Sequence, residues 1–271
     1  MPEASEKKLG PWGRFLAMPA DNPVKTVIVA VGLCLFCSMI VSAAAVALKP
    51  VQEQNKVLDK RRNILEVAGL YQPGINVNTT FTEKVEPRLV DIETGKFSDA
   101  ADPATYDQRV AAKDPSMSVA LDDDPAGIGR QAKLAAVYLV RNDAGEIDKI
   151  ILPVHGYGLW STLYGFVALK ADGNEVAGFQ FYEHAETPGL GAEVDNPRWK
   201  AQWPGKKIYG EDGDVQITVS KTPASGDMAQ YHIDSLAGAT LTSRGVDNLV
   251  HFWMGEQGFK RFLDNLKEGT V

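Results

Sequence analysis

An apolar run from Thr26 to Leu48 (TVIVAVGLCLFCSMIVSAAAVAL) covers 23 positions without a charge. As a helix rising about 1.5 Å per residue, it extends roughly 35 Å, enough to cross a hydrocarbon core with some tilt. Signal-peptide cores are shorter, about 7–15 residues, so the run predicts an uncleaved transmembrane helix even though Ser42-Ala43-Ala44-Ala45 resembles a cleavage site. From Val51 to Gly69 the pattern changes: Val57, Leu58, Ile64, Leu65 and Ala68 recur at helical spacing, predicting an amphipathic helix that Pro73-Gly74 ends. Phe81–Val90 reads as extended. Asp91–Ala126 is acidic and rich in Ala and Pro, which predicts a surface excursion or insertion.

From Leu134 the chain alternates between β-rich runs and short turns. Leu134–Val140, Ile147–Val154, Leu163–Lys170 and Glu175–Glu183 are strand candidates, with turns at Asn142-Asp143-Ala144-Gly145 and Ala171-Asp172-Gly173-Asn174. Connections this short predict antiparallel hairpins, because parallel strands need a longer crossover. Val215–Ser220 predicts a further strand and Asn196–Trp203 a short helix. Val246–Met254 and Phe259–Leu266 predict terminal helices. The expected fold is α+β: an antiparallel-sheet domain with flanking helices behind a single N-terminal transmembrane helix. The expected divisions are residues 1–25, a span over 26–48, a membrane-proximal helix and insertion over 49–133, and a folded domain over 134–271.

Charge narrows the function. A net charge of −7 excludes nucleic acid as the partner, because phosphate binding needs a basic face. Both cysteines, Cys34 and Cys37, lie inside the apolar run, where they read as small apolar residues on a lipid-facing helix. No cluster of metal-ligating residues accompanies them, so no metal site is expected. Redox chemistry outside the membrane would have to come from a cofactor. Lys7, Lys8, Arg14 and Lys25 before the span nearly balance Lys49, Lys56, Lys60, Arg61 and Arg62 after it, so charge alone leaves the orientation open. His155, His232 and His251 read as structural residues.

The segment with chemistry is Asp234-Ser235-Leu236-Ala237-Gly238-Ala239-Thr240-Leu241-Thr242-Ser243. It follows a strand end at Tyr231-His232-Ile233 and opens a helix, with Thr242 or Ser243 as the expected N-cap. A helix N-terminus presents free N–H groups to a phosphate, and the small residues let a bulky group approach the backbone. By itself the segment could equally be a capped helix after a tight turn.

The sequence D-S-L-A-G-A-T resembles the flavinylation motif of the FMN-binding domain family, although Ala237 stands where Ser or Thr is common. The resemblance implies that a flavin transferase moves FMN from FAD onto the Thr240 hydroxyl, with Asp234 recognised by that enzyme and Gly238, Ala239, Leu241 and Thr242 lining the attachment site. A hydroxyl nucleophile is required there. His184-Ala185-Glu186-Thr187-Pro188-Gly189-Leu190-Gly191 resembles the family's stretch beside the flavin, implying contacts from Glu186, Thr187, Gly189, Leu190 and Gly191. Gly156-Tyr157-Gly158-Leu159-Trp160 resembles its glycine-rich turn, with Trp160 packing on the ring.

Asn55–Asp59, Arg62–Leu65, the single span and the long insertion further resemble the C subunits of sodium-translocating NADH:quinone oxidoreductases. The G subunits of Rnf complexes are the nearest alternative. The resemblance implies an electron relay between other redox centres, with no catalytic residues on this chain and the NADH and quinone sites on other membrane subunits. It also implies a bacterial inner-membrane location, with residues 1–25 cytoplasmic and the C-terminal domain periplasmic. A non-redox tethered domain and a flavinylated reductase module remain open. Covalent flavin in denatured protein separates the first, and co-purifying subunits the second.

Overall fold

The structure, a computed structural model, describes residues 10–271; the first nine residues of the expected N-terminal segment, with Lys7 and Lys8, lie outside the described residues. The chain divides into two compact units, Met1–Val57 and Leu58–Val271. A short helix α1 (Pro11–Ala17) lies in the first, followed by α2 (Pro23–Val67), which is long and apolar enough to cross a membrane and whose last residues, from Leu58, belong to the second. Val27, Leu33, Phe36 and Ile40 are all exposed on it. The apolar run and the expected amphipathic helix form this one element. Pro50 lies within it just past Leu48, where it cannot donate a helical hydrogen bond.

The second unit contains α3 (Val77–Lys84), β1 (Val85–Asp91), β2 (Lys96–Phe97), α4 (Gln108–Lys113), β3 (Ser118–Ala120) and β4 (Arg130–Ala132). Then come β5 (Leu134–Arg141), β6 (Ile147–Tyr157), β7 (Thr162–Lys170) and β8 (Val176–Glu183). The rest is α5 (Pro197–Lys200), β9 (Thr218–Ser220), β10 (His232–Asp234), α6 (Thr240–Met254) and α7 (Lys260–Glu268). The main sheet has six strands in the order β2-β1-β5-β6-β7-β8, all antiparallel. The expected hairpins are present, with Tyr138 facing Ile151 across β5–β6 and Gly165 facing Phe181 across β7–β8.

Helices cover both faces of the sheet. Ile150, Leu152, Val154 and Val167 pack in one core with Val246, Leu249, Val250 and Trp253 of α6 and Phe262 of α7. Tyr138, Ile151, Phe166 and Ala168 pack in a second core with Ile64 and Leu65 of α2 and Phe81 of α3. Burial on both faces explains why β5 and β7 read as unbroken apolar runs.

Two expectations change, and one pairing is new. Phe81–Lys84 is helical: the Asn76 side chain accepts the Thr79 N–H at 3.1 Å and caps α3, and extension begins only at Val85. The β1 and β2 strands precede Leu134, so the sheet extends into the region expected to hold an insertion. Finally, β9 and β10 pair in parallel, with His232 facing Thr218, as a small separate sheet.

Candidate functional site

Three segments distant in sequence converge near the start of α6. The first is the β6–β7 turn, closed by the Gly158 N–H donating to the Ser161 carbonyl at 2.9 Å. It leaves Tyr157, Leu159 and Trp160 exposed, with Trp160 at 66%. The second follows β8. Thr187 to Leu190 form a turn in which the Leu190 N–H reaches the Thr187 carbonyl at 3.1 Å, with Pro188 second and Gly189 third at φ +74°. That backbone needs a glycine in the third position. The third is the Asp234–Thr240 segment, where Gly238 turns the chain at φ +74° and a Cβ there would lie 3.3 Å from the Leu190 side chain.

Glu186 joins these segments. Its Oε1 accepts the N–H groups of Leu159 (3.0 Å), Trp160 (2.9 Å) and Ser161 (3.3 Å), and its Oε2 accepts the Thr242 hydroxyl at 2.7 Å. Burial pushes the Glu186 carboxyl up, but the bonds from Trp160, Thr242, Leu159 and Ser161 outweigh it and hold the pKa below the usual value. Truncating this side chain would orphan the buried Thr242 hydroxyl, at about 1–3 kcal/mol, and release three part-buried N–H groups of the turn. Close glycines make the convergence possible. A Cβ on Gly191 would lie 2.6 Å from both Glu186 Oε2 and Thr242 Oγ1, and one on Gly158 would lie 2.7 Å from Glu186 Oε1. A Cβ on Gly245 would meet the Tyr157 carbonyl at 2.5 Å, so α6 lies directly against the end of β6.

The hydroxyls of the motif separate into distinct roles. Thr240, the first residue of α6, is exposed, whereas Thr242 and Ser243 are buried. Ser243 Oγ accepts the Leu236 N–H at 2.9 Å and donates to the Ala239 carbonyl at 3.0 Å, fastening the loop before the helix. The expected N-cap at Thr242 or Ser243 is therefore corrected: Ala239 is the N-cap, without a side-chain bond, and both hydroxyls lie inside the first turns. Ala239 is buried, while Gly238 and Leu241 are exposed beside Thr240.

Asp234 belongs to another cluster. Its N–H donates to Gln202 Oε1 at 2.9 Å, its carbonyl accepts Trp199 Nε1 at 2.8 Å, and its exposed carboxylate lies 3.1 Å from His232 Nε2. No sequence signal marks Trp199 and Gln202 as supports, because α5 shows only as a short helix. Ser161, whose Oγ accepts the Ala185 N–H at 2.7 Å, is likewise absent from the sequence-based candidates. His184 accepts the Glu186 N–H through Nδ1 at 3.2 Å and pairs with Asp195 through Nε2 at 2.8 Å. His155 stacks on Tyr164; burial, with Arg109 nearby, lowers its pKa to about 4 and leaves the ring neutral. Among the described residues no group of acids, histidines and cysteines is arranged to hold a metal.

The site suits a flavin phosphate: an accessible hydroxyl at a helix N-terminus, glycine turns without side chains, and an exposed apolar rim from Leu159, Trp160, Leu190 and Leu241. Residues 158–255 match the FMN-binding domain family, a span that includes all three segments. The C subunit of the Na+-translocating NADH-quinone reductase of Pseudomonas aeruginosa is 53% identical over 93% of this chain and 98% of its own length. Its counterpart from Vibrio alginolyticus is 49% identical, over 94% of this chain and 100% of its own. The crystal structure of Shewanella oneidensis NqrC superposes with a TM-score of 0.74 at 34% identity, covering 79% of this chain and 99% of that one.

Proposed function

This chain belongs to the family of C subunits of the Na+-translocating NADH-quinone reductases, and we propose that within such a complex it relays electrons through an FMN esterified to Thr240. The observation that carries the assignment is the division among the hydroxyls. Thr240 is exposed at the helix entrance, while Thr242 is bonded to Glu186 and Ser243 to the loop backbone. Only Thr240 of the three is free to meet a second molecule.

In the attachment step, presented to a flavin transferase, the Thr240 oxygen attacks the FMN phosphorus of FAD. The new Oγ–P bond replaces the pyrophosphate bond, AMP leaves, and the hydroxyl proton is lost. The chain then gains the mass of FMN less one water. Bound FMN supplies electron uptake and release. The protein's part is to hold it, through the N-terminus of α6 at the phosphate and the apolar rim, with Thr187, at the ring. NADH oxidation and quinone reduction belong to other subunits. The helix over 26–48 anchors the chain in the bacterial inner membrane, and the FMN-binding domain on the periplasmic side takes its sheet from residues 134–271 together with β1 and β2 of the 49–133 region.

Intact-mass measurement of protein made with a flavin transferase tests the linkage. Thr240→Ala should lose the adduct entirely and stay folded, since Thr240 is exposed and is not the N-cap, with a change in stability within about 0.5 kcal/mol. Thr240→Ser should keep a fraction, while Thr242→Ala and Ser243→Ala remain modified. An adduct persisting in Thr240→Ala refutes the assignment.

A further inference from the structure

Among the described residues Glu186 is the one buried carboxylate, 4% exposed. All of its acceptor bonds come from neutral donors, the N–H groups of Leu159, Trp160 and Ser161 and the Thr242 hydroxyl. Dipoles hold this charge in place but do not cancel it as a cation would. One oxygen lies against the backbone that carries Leu159 and Trp160. The other lies against Thr242, two residues beyond Thr240 on α6. The charge therefore sits between the two elements that bear the proposed ring contacts and the attachment point, in a medium that screens it less than water does.

We propose that Glu186 is a positioning residue that also acts as a fixed negative charge beneath the flavin seat, depressing the reduction potential of the bound FMN. The proposal rests on the reading of Thr240 as the attachment site. An arriving electron adds negative charge to the seat, and an ionised carboxylate there opposes it. Glu186 is ionised before and after the electron arrives and moves no proton, so its effect is electrostatic. This separates it from a ring contact such as Trp160, which would act by packing.

Charge and bracing can be varied separately. Glu186→Gln keeps an oxygen for the three N–H groups and an amide for Thr242, whose hydroxyl can accept instead of donate, but removes the charge. Thr242→Val removes one donor and keeps the charge. Full-length protein in detergent, made with a flavin transferase, is weighed by intact mass and its flavin titrated spectroelectrochemically. Glu186→Gln should favour the reduced flavin about tenfold, which is 59 mV for one electron. Thr242→Val should leave the midpoint at or below the wild-type value.

An unchanged midpoint in Glu186→Gln overturns the proposal, as does an equal rise in both variants, which would mark a loosened seat. If Glu186→Gln takes no adduct, the titration is run on Glu186→Asp. A wild-type midpoint there sustains the fixed charge, and a raised one overturns it. Wild-type protein without an adduct on Thr240 would instead refute the attachment reading, an outcome visible by mass before any potential is measured.

Discussion

Two regions of this chain expose large apolar side chains, in opposite ways. On α2 Leu33, Phe36 and Ile40 are exposed on one face and Val27 on the opposite one, and none of its most apolar stretch is buried. Around Thr240, the exposed Leu159, Trp160, Leu190 and Leu241 project from segments pinned at their base by Glu186 and by close glycines. The helix satisfies its own backbone and asks only for an apolar solvent, as a lipid-facing span does. The rim spends buried polar bonds to hold a few apolar groups in fixed places. An apolar surface with a polar skeleton beneath it is built for one ligand, whereas one without such a skeleton is built for a medium.

Substitutions can break this comparison from either side. The largest effect should follow Leu35→Arg, near the middle of the span, where a buried arginine costs about 2.5–3.5 kcal/mol of insertion. The fraction resisting a carbonate wash of the membranes should drop sharply. Undiminished partitioning would mean that α2 is not held by lipid. Next comes Gly191→Ala, whose methyl would fall 2.6 Å from both Glu186 Oε2 and Thr242 Oγ1. Overpacking of this kind costs about 1–3 kcal/mol, so the melting temperature of detergent-solubilised protein should fall; an unaltered value would show that the skeleton yields freely. The smallest change in stability, within about 0.5 kcal/mol, should come from exposed Trp160→Ala. That variant and Thr187→Ala should nonetheless shift the bound flavin's absorbance or midpoint, and unaltered spectra and midpoints in both would remove these residues from the seat.

The hairpins from β5 to β8 are legible because strand character and turn chemistry agree: apolar runs end at Asn142–Gly145 and Ala171–Asn174, and each turn is local. The helix over Val77–Lys84 is not, since β-branched Val77, Thr79, Thr80 and Thr82 favour extension and only the Asn76 cap and tertiary packing override them. β1 reads as extended, but nothing in its own sequence says that it joins β5. In the candidate site, the motif singles out Thr240 in the sequence, and the structure leaves it exposed at the start of α6. The role of Glu186 is not legible, because its partners are 25–27 and 56 residues away. Bonds of that reach leave no periodic trace, and a lone Glu beside Thr-Pro-Gly looks like any exposed turn residue. Thr242 escapes sequence reasoning on the same ground: a cap is a local inference, and the partner that claims its hydroxyl is distant.

Ser243 has a bearing on the order of biogenesis. It can fasten Leu236 and Ala239 only after α6 has wound its first turns, and the Ser235 N–H reaches the Ser220 carbonyl only beside the paired β9 and β10. A nascent chain thus contains Asp234–Thr240 well before it contains the surface that presents Thr240. The exposed presentation of Thr240 at the start of α6 is therefore a property of the folded domain and not of the seven-residue segment alone.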